Sequence, residues 1–231
     1  MFETAFTYRT AGEINSAMLR VYNYMMMAIL TSGLVAGMVA SDQELIAFLF
    51  TGIMKWVVML APIAAVILIT IALNADPPKS VAIGLLLGFA AVMGLSLSVF
   101  FYAFTTGSIV GAFFSASLLF GIMSMYGYFT KRSLESLGQF LFVGLITIIV
   151  VSLVNIWIGS SVLQMVVSAV AILIFLGLTA YDTQQIREAI SQDGQDGHSE
   201  VIGALTLYLD FINIFINLLQ LFGIQTGKNN D

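Results

Sequence analysis

Apolar residues run along this chain in seven long blocks, at 19–40, 54–73, 81–104, 108–129, 137–158, 162–181 and 201–224. Each approaches or exceeds the ~20 residues that a helix needs to cross the hydrocarbon of a bilayer. The breaks between them are short, which makes consecutive helices antiparallel neighbours. NADPPKS at 74–80 is a turn by its proline pair, TKRSLES at 130–136 is a charged turn, and 105–107 and 159–161 are tight connections. Only 182–200, with its acidic QDGQDGHSE, is a loop of any size. The pattern predicts an all-α integral membrane protein. A cytoplasmic tail (1–18) precedes one seven-helix transmembrane domain (19–224), and a short tail (225–231) follows it. Gly84 with Gly88, and Gly107 with Gly111 and Ser115, have the four-residue spacing of helix-packing rows. Pro62 reads as a tolerated kink.

The last block breaks its own pattern. In LYLDFINIFINLL (207–219) an aspartate and two asparagines interrupt a wall of Phe, Ile and Leu. Gly203, Thr206, Asp210, Asn213, Asn217 and Gln220 follow one another at steps of 3, 4, 3, 4 and 3, which is one face of a helix. That stripe must face protein or water, and a helix apolar on its other sides suits a central place in the bundle. An ionised Asp at such depth costs at least ~2.5 kcal/mol, so Asp210 needs a proton, a cation or a hydrogen-bonding partner. The nearest acid by topology is Asp182 in TAYDTQQI, at the end of the sixth block and on the same membrane side as the start of the seventh. With a helix starting near Val201, Asp210 lies ~13 Å along it, so a tilt or a cytoplasmic vestibule is required for contact.

Two carboxylates in contact cannot both ionise cheaply and therefore share a proton. Protonated, the pair joins two helices by a hydrogen bond. Deprotonated, it is a repulsive anionic site that attracts a cation, and with Thr206, Asn213 and Asn217 along the stripe its oxygens suit Ca²⁺. The alternative is that Asp210, Asn213 and Asn217 are interhelical hydrogen-bonding glue.

Composition sharpens the class. Of 231 residues 59% are hydrophobic and only 9% charged, where a soluble domain carries roughly a quarter charged residues. There is no cysteine, so no disulfide or thiolate metal site is available, and His198 is the only histidine. No tightly bound cofactor is expected. Without a basic run, nucleic acid is an unsuitable partner; the expected partners are the bilayer, Ca²⁺ and protons. The polar, acidic N-terminus lacks the basic start of a secretory signal. With a cytoplasmic N-terminus, Arg9, Arg20, Lys79, Lys131, Arg132 and Arg187 lie inside and only Lys55 and Lys228 outside. That bias favours N-in, and seven spans put the C-terminus outside.

TAYDTQQI (179–186) and LTLYLDFINIFINLLQLFG (205–223), supported by VYNYM (21–25) and TKRSLESLGQFLFVGL (130–145), resemble the transmembrane Bax inhibitor motif family in its bacterial branch. The resemblance covers essentially the whole chain. It implies a seven-helix fold with the last helix central, in a bacterial inner membrane, and a pH-sensitive calcium leak whose sensing pair matches Asp182 and Asp210. It further implies an acidic residue in the second helix and a basic latch near its end. Here the chain departs, because VVMLAPIAAVILITIAL has no ionisable side chain between Lys55 and Asp76. Arg20 or Arg187 are the substitutes by charge.

Two other functions compete. Intramembrane aspartyl proteases also place Tyr-Asp on one helix and a second Asp on the next, which fits Tyr181-Asp182. Their second aspartate follows GxGD, where this chain has Leu207-Tyr208-Leu209-Asp210, so an enzyme is not expected. A non-conducting scaffold that modulates another membrane protein, such as a protease, would need no titrating pair.

Overall fold

The structure is a computed structural model that describes residues 10–75, 77–192 and 198–226, with His198 described in its backbone only. Most of the expected tails, Arg9, Asp76, the run 193–197 and Lys228 lie outside the described residues. The helices are α1 (Ala11–Ala40), α2 (Gln43–Leu49), α3 (Met54–Asn74), α4 (Lys79–Ala103), α5 (Thr106–Phe129), α6 (Glu135–Ile158), α7 (Ser161–Gln192) and α8 (His198–Phe222). Seven of them, all but α2, are long and apolar enough to cross a membrane, as the seven apolar blocks predict. Among the described residues the extended pairing is confined to an isolated bridge between Phe104 and Gln225.

Three boundaries differ from expectation. α1 starts at Ala11 because Thr10 and Glu13 form a capping box: the Glu13 carboxylate accepts from Thr10 N at 2.7 Å while Thr10 Oγ1 accepts from Glu13 N at 3.4 Å. α2 is an added helix of about two turns, capped by Asp42, whose Oδ1 accepts from the Glu44 and Leu45 amides. The largest change is in α7, which runs on to Gln192 through residues read as loop.

The chain forms two compact units, and α8 contributes to both. The first comprises residues up to Ala103 with Ile186–Tyr208. In it α1 packs on α4 through small side chains. Ala28, Ser32 and Ala36 of α1 and Ala82, Ala90 and Gly94 of α4 are buried. A Cβ on Gly94 would stand 2.6 Å from the Ser32 carbonyl oxygen, so glycine sets how closely these helices approach. Gly84 and Gly88, by contrast, have open space around them and lie on the exposed side of α4. The expected packing row is therefore not the seam within this unit; the seam is four-spaced but rotated round the helix. Pro62 lacks the N–H that would bond the Val58 carbonyl. Ser96 Oγ of α4 donates to that carbonyl instead, at 2.5 Å.

The second unit comprises Phe104–Gln185 and the chain from Leu209 onward. α5 and α7 meet where Gly127 faces the Ala180 carbonyl so closely that a Cβ would collide with it. Gly107, Gly111 and Ser115 again face outward in open or exposed positions, while Ala112, Ala116, Phe120, Ser124 and Gly127 are buried. α6 closes with Gly159 at φ 67°, and the Asn155 side chain bonds both backbone groups of Ser160 across the turn into α7. Of the seven spanning helices α8 is the least available to lipid: 67% of its apolar window is buried, against 11–44% in the others.

Candidate functional site

TAYDTQQI is held on both sides of its aspartate. Ser124 Oγ of α5 lies 3.0 Å from Thr183 Oγ1. The Gln184 carboxamide accepts from Leu134 N at 2.8 Å and donates to the Arg132 carbonyl at 2.9 Å, pinning α7 to the turn before α6. A Cβ on Gly138 of α6 would strike the Tyr181 ring, so that ring lies flat on the glycine. These contacts explain why α7 stays helical where its hydropathy falls: the polar side chains find partners in neighbouring elements.

The longer α7 also removes the obstacle to an Asp182–Asp210 contact. Asp182 lies about ten residues, ~15 Å, before the end of α7, and Asp210 about twelve residues, ~18 Å, after the start of α8. In antiparallel neighbours those positions come level, without the tilt or vestibule that a helix ending at Tyr181 would need. The two carboxyl groups are within hydrogen-bonding reach of each other. Asp210 is 4% exposed, and no donor reaches its Oδ2. Asp182 is half-buried. Two carboxylates offer each other only acceptors, so a single proton held between them is what completes the bond. On α8 the residue after Asp210 is wedged by aromatics, since the Phe211 ring stands edge-on to Phe113 at 5.6 Å and Phe120 at 5.9 Å.

The rest of the predicted stripe is more varied than its spacing suggests. Thr206, Asn213 and Asn217 are half-buried, and each donates to the carbonyl four residues back in its own helix. Gln220 instead accepts from Gln164 Nε2 and Ser168 Oγ of α7. Among the described residues no group of three or more His, Cys, Asp and Glu side chains gathers as a metal site.

A second charged cluster was missed in the sequence. Glu200, 1% exposed, receives Arg20 Nε and Nη2 at 2.9 and 2.6 Å and Lys79 Nζ at 2.8 Å. It joins the starts of α4 and α8 to the N-terminal third of α1 within the first unit. The signal was there, for Glu200 stands three residues before Gly203 and extends the polar stripe by a turn. Inside an acidic stretch it read as loop. Arg20 is thus engaged by Glu200, and Arg187 has a partner of its own as well.

A profile of the family described as "Inhibitor of apoptosis-promoting Bax1" matches residues 14–227. The chain is 36% identical over 215 residues to inner membrane protein YbhL of Escherichia coli strain K12, covering 91% of this chain and 92% of that protein. It is 37% identical over 209 residues to an uncharacterized protein of Rickettsia prowazekii, covering 89% and 88%. To an uncharacterized membrane protein of Streptococcus pyogenes it is 39% identical over 166 residues, covering 71% and 72%. The family match takes in α1 through the end of α8, with both aspartates and the helices that bring them together, and the chain belongs to the Bax1 inhibitor family.

Proposed function

We propose that the chain is a proton-regulated cation leak of the bacterial inner membrane, with Ca²⁺ as the permeant ion and Asp182 and Asp210 as its sensor. One observation carries this reading: two carboxyls from adjacent spanning helices meet near the middle of α8, one with a buried oxygen that no donor reaches. Such an arrangement is costly as a structural element and makes sense as a titrating one. With the shared proton in place the pair ties α7 to α8. When the proton leaves, the carboxylates repel and offer oxygens to a cation entering the stripe. The name of the Escherichia coli relative supports the inner-membrane location, and the excess of basic residues supports a cytoplasmic N-terminus. Peptide-bond cleavage is disfavoured, because Leu207 and Tyr208 are both 0% exposed and leave no approach for a substrate strand.

The test is Ca²⁺ flux into liposomes carrying the purified chain, across mildly acidic to mildly alkaline pH. Flux should rise with pH in the wild type and lose its pH dependence in Asp210→Asn. Flux no greater than that of empty liposomes at every pH sinks the leak. A second reading then takes over, a scaffold that modulates another membrane protein. It is favoured by the outward-facing rows Gly84–Gly88 and Gly107–Gly111–Ser115, where a partner helix could pack closely.

A further inference from the structure

Beyond the aspartate pair, the stripe on α8 changes character twice. Asn213 Nδ2 donates to the Leu209 carbonyl and Asn217 Nδ2 to the Asn213 carbonyl, each at 2.8 Å. Only the amide nitrogen can donate, so each carboxamide is turned with its oxygen away from the backbone it grips. Asp210, Asn213 and Asn217 therefore present oxygens about one helical turn apart, with one of the two N–H groups of each amide engaged by the helix backbone. A cation can exchange hydration water for such a ladder of oxygens.

The ladder ends at Gln220, about 15 Å from Asp210 along α8. There the acceptor is occupied. Gln220 Oε1 takes Gln164 Nε2 at 2.9 Å and Ser168 Oγ at 3.2 Å, and Gln164 Oε1 in turn takes Asn155 Nδ2 at 3.4 Å. Asn155 and Ser168 are buried, whereas Gln164 is exposed, so the knot runs from the protein interior to its rim. It ties α6, α7 and α8 together with neutral bonds, none of which titrates in the physiological range.

We propose that this side-chain clasp of Gln220, Gln164 and Ser168 is a second barrier on the ion path, closing the C-terminal end of the oxygen ladder independently of pH. The inference rests on the leak reading for its ion and on the hydrogen bonds alone for its barrier. The pair at Asp182 and Asp210 sets the proton response; the clasp limits water and ions reaching Asn217 from the other end. Neutral hydrogen bonds of this kind are weak enough singly to open on thermal fluctuation.

The chain has no cysteine, so Asn217→Cys supplies a single thiol. The full-length protein in liposomes is treated with a charged, membrane-impermeant thiol reagent, and the labelling rate at this position is measured. Adding Gln220→Ala should speed labelling by roughly tenfold, the factor that one or two lost hydrogen bonds allow. Adding Gln220→Glu, which keeps oxygens to accept from Gln164 and Ser168, should leave labelling slow, and this variant separates clasp loss from misfolding. Equal rates in all three, or labelling of Asn217→Cys alone as fast as that of Gln164→Cys at the rim, overturns the clasp. Ca²⁺ flux in the wild type, Gln220→Ala and Gln220→Glu, all of which keep Asn217, separates the two proposals. Faster labelling without flux in any variant retains the barrier and removes the leak. A pH-dependent flux with labelling indifferent to Gln220 retains the leak and removes the clasp.

Discussion

Asp210 and Glu200 are both buried acids on α8, and they are satisfied in opposite ways. Glu200 has two cations and three short hydrogen bonds, so its charge is balanced and its role is to hold helices. Asp210 has another acid beside it, so in the proposed reading its state depends on a proton that can leave. The two therefore respond differently to substitution. Asp210→Asn gives the pair a permanent donor and should preserve the fold while removing the proposed proton response. Glu200→Ala should lower thermal stability by roughly 1–3 kcal/mol, the usual cost of stranding a charge-assisted set. Arg20 and Lys79 are 43% and 37% exposed and can rehydrate in part, which keeps that figure below the cost for a fully enclosed pair. Thermal denaturation in detergent, followed by the helical signal, checks it. A Glu200→Ala variant as stable as the wild type would show that the cluster adds nothing to stability.

At the scale of helices, glycines in similar sequence contexts face different neighbours. Gly127→Ala would drive a methyl into the Ala180 backbone, which cannot move without disturbing α7 beside Asp182. An expected loss of about 1–3 kcal/mol follows from overpacking, and on the proposed leak reading a shift of the flux–pH profile should accompany it if Asp182 is displaced. Gly84→Ala meets open space and should change stability by no more than about 1 kcal/mol. Measuring both by denaturation tests whether packing or spacing governs. Spacing alone singled out Gly84 and Gly88 and passed over Gly94 and Gly127, because a four-residue interval does not say which side of the helix another helix occupies. The polar run after Tyr181 misled for a related reason. Low hydropathy marks where a helix leaves the apolar region, not where its hydrogen bonding stops, and Thr183 and Gln184 found partners in α5 and the turn before α6.

For the whole molecule, the apolar blocks were sufficient to read all seven spans, since burial in hydrocarbon leaves little freedom in composition. The aspartate pair was half legible. Both residues stood out as acids out of place, but their contact depended on the length of α7, which only the fold supplies. The Glu200 cluster and the Gln220 contacts were legible only in part: both residues lie on the line of the polar stripe, but their partners sit on helices remote in sequence. An odd number of spans also makes a global prediction. Reporter domains fused separately to the two termini should fall on opposite sides of the membrane, the N-terminal one in the cytoplasm; both on one side would remove a span or add one.

The bond from Ser96 to the carbonyl that Pro62 leaves without a donor has an evolutionary corollary. The hydroxyl repairs a defect that exists only while the proline is present, so the two positions form a debtor and its guarantor across α3 and α4. Lineages that replaced the proline would be free to let the serine drift to alanine or valine. Those that keep the proline can lose the serine only by finding another hydrogen for the same oxygen, and the order in which the two changes can occur is thereby fixed.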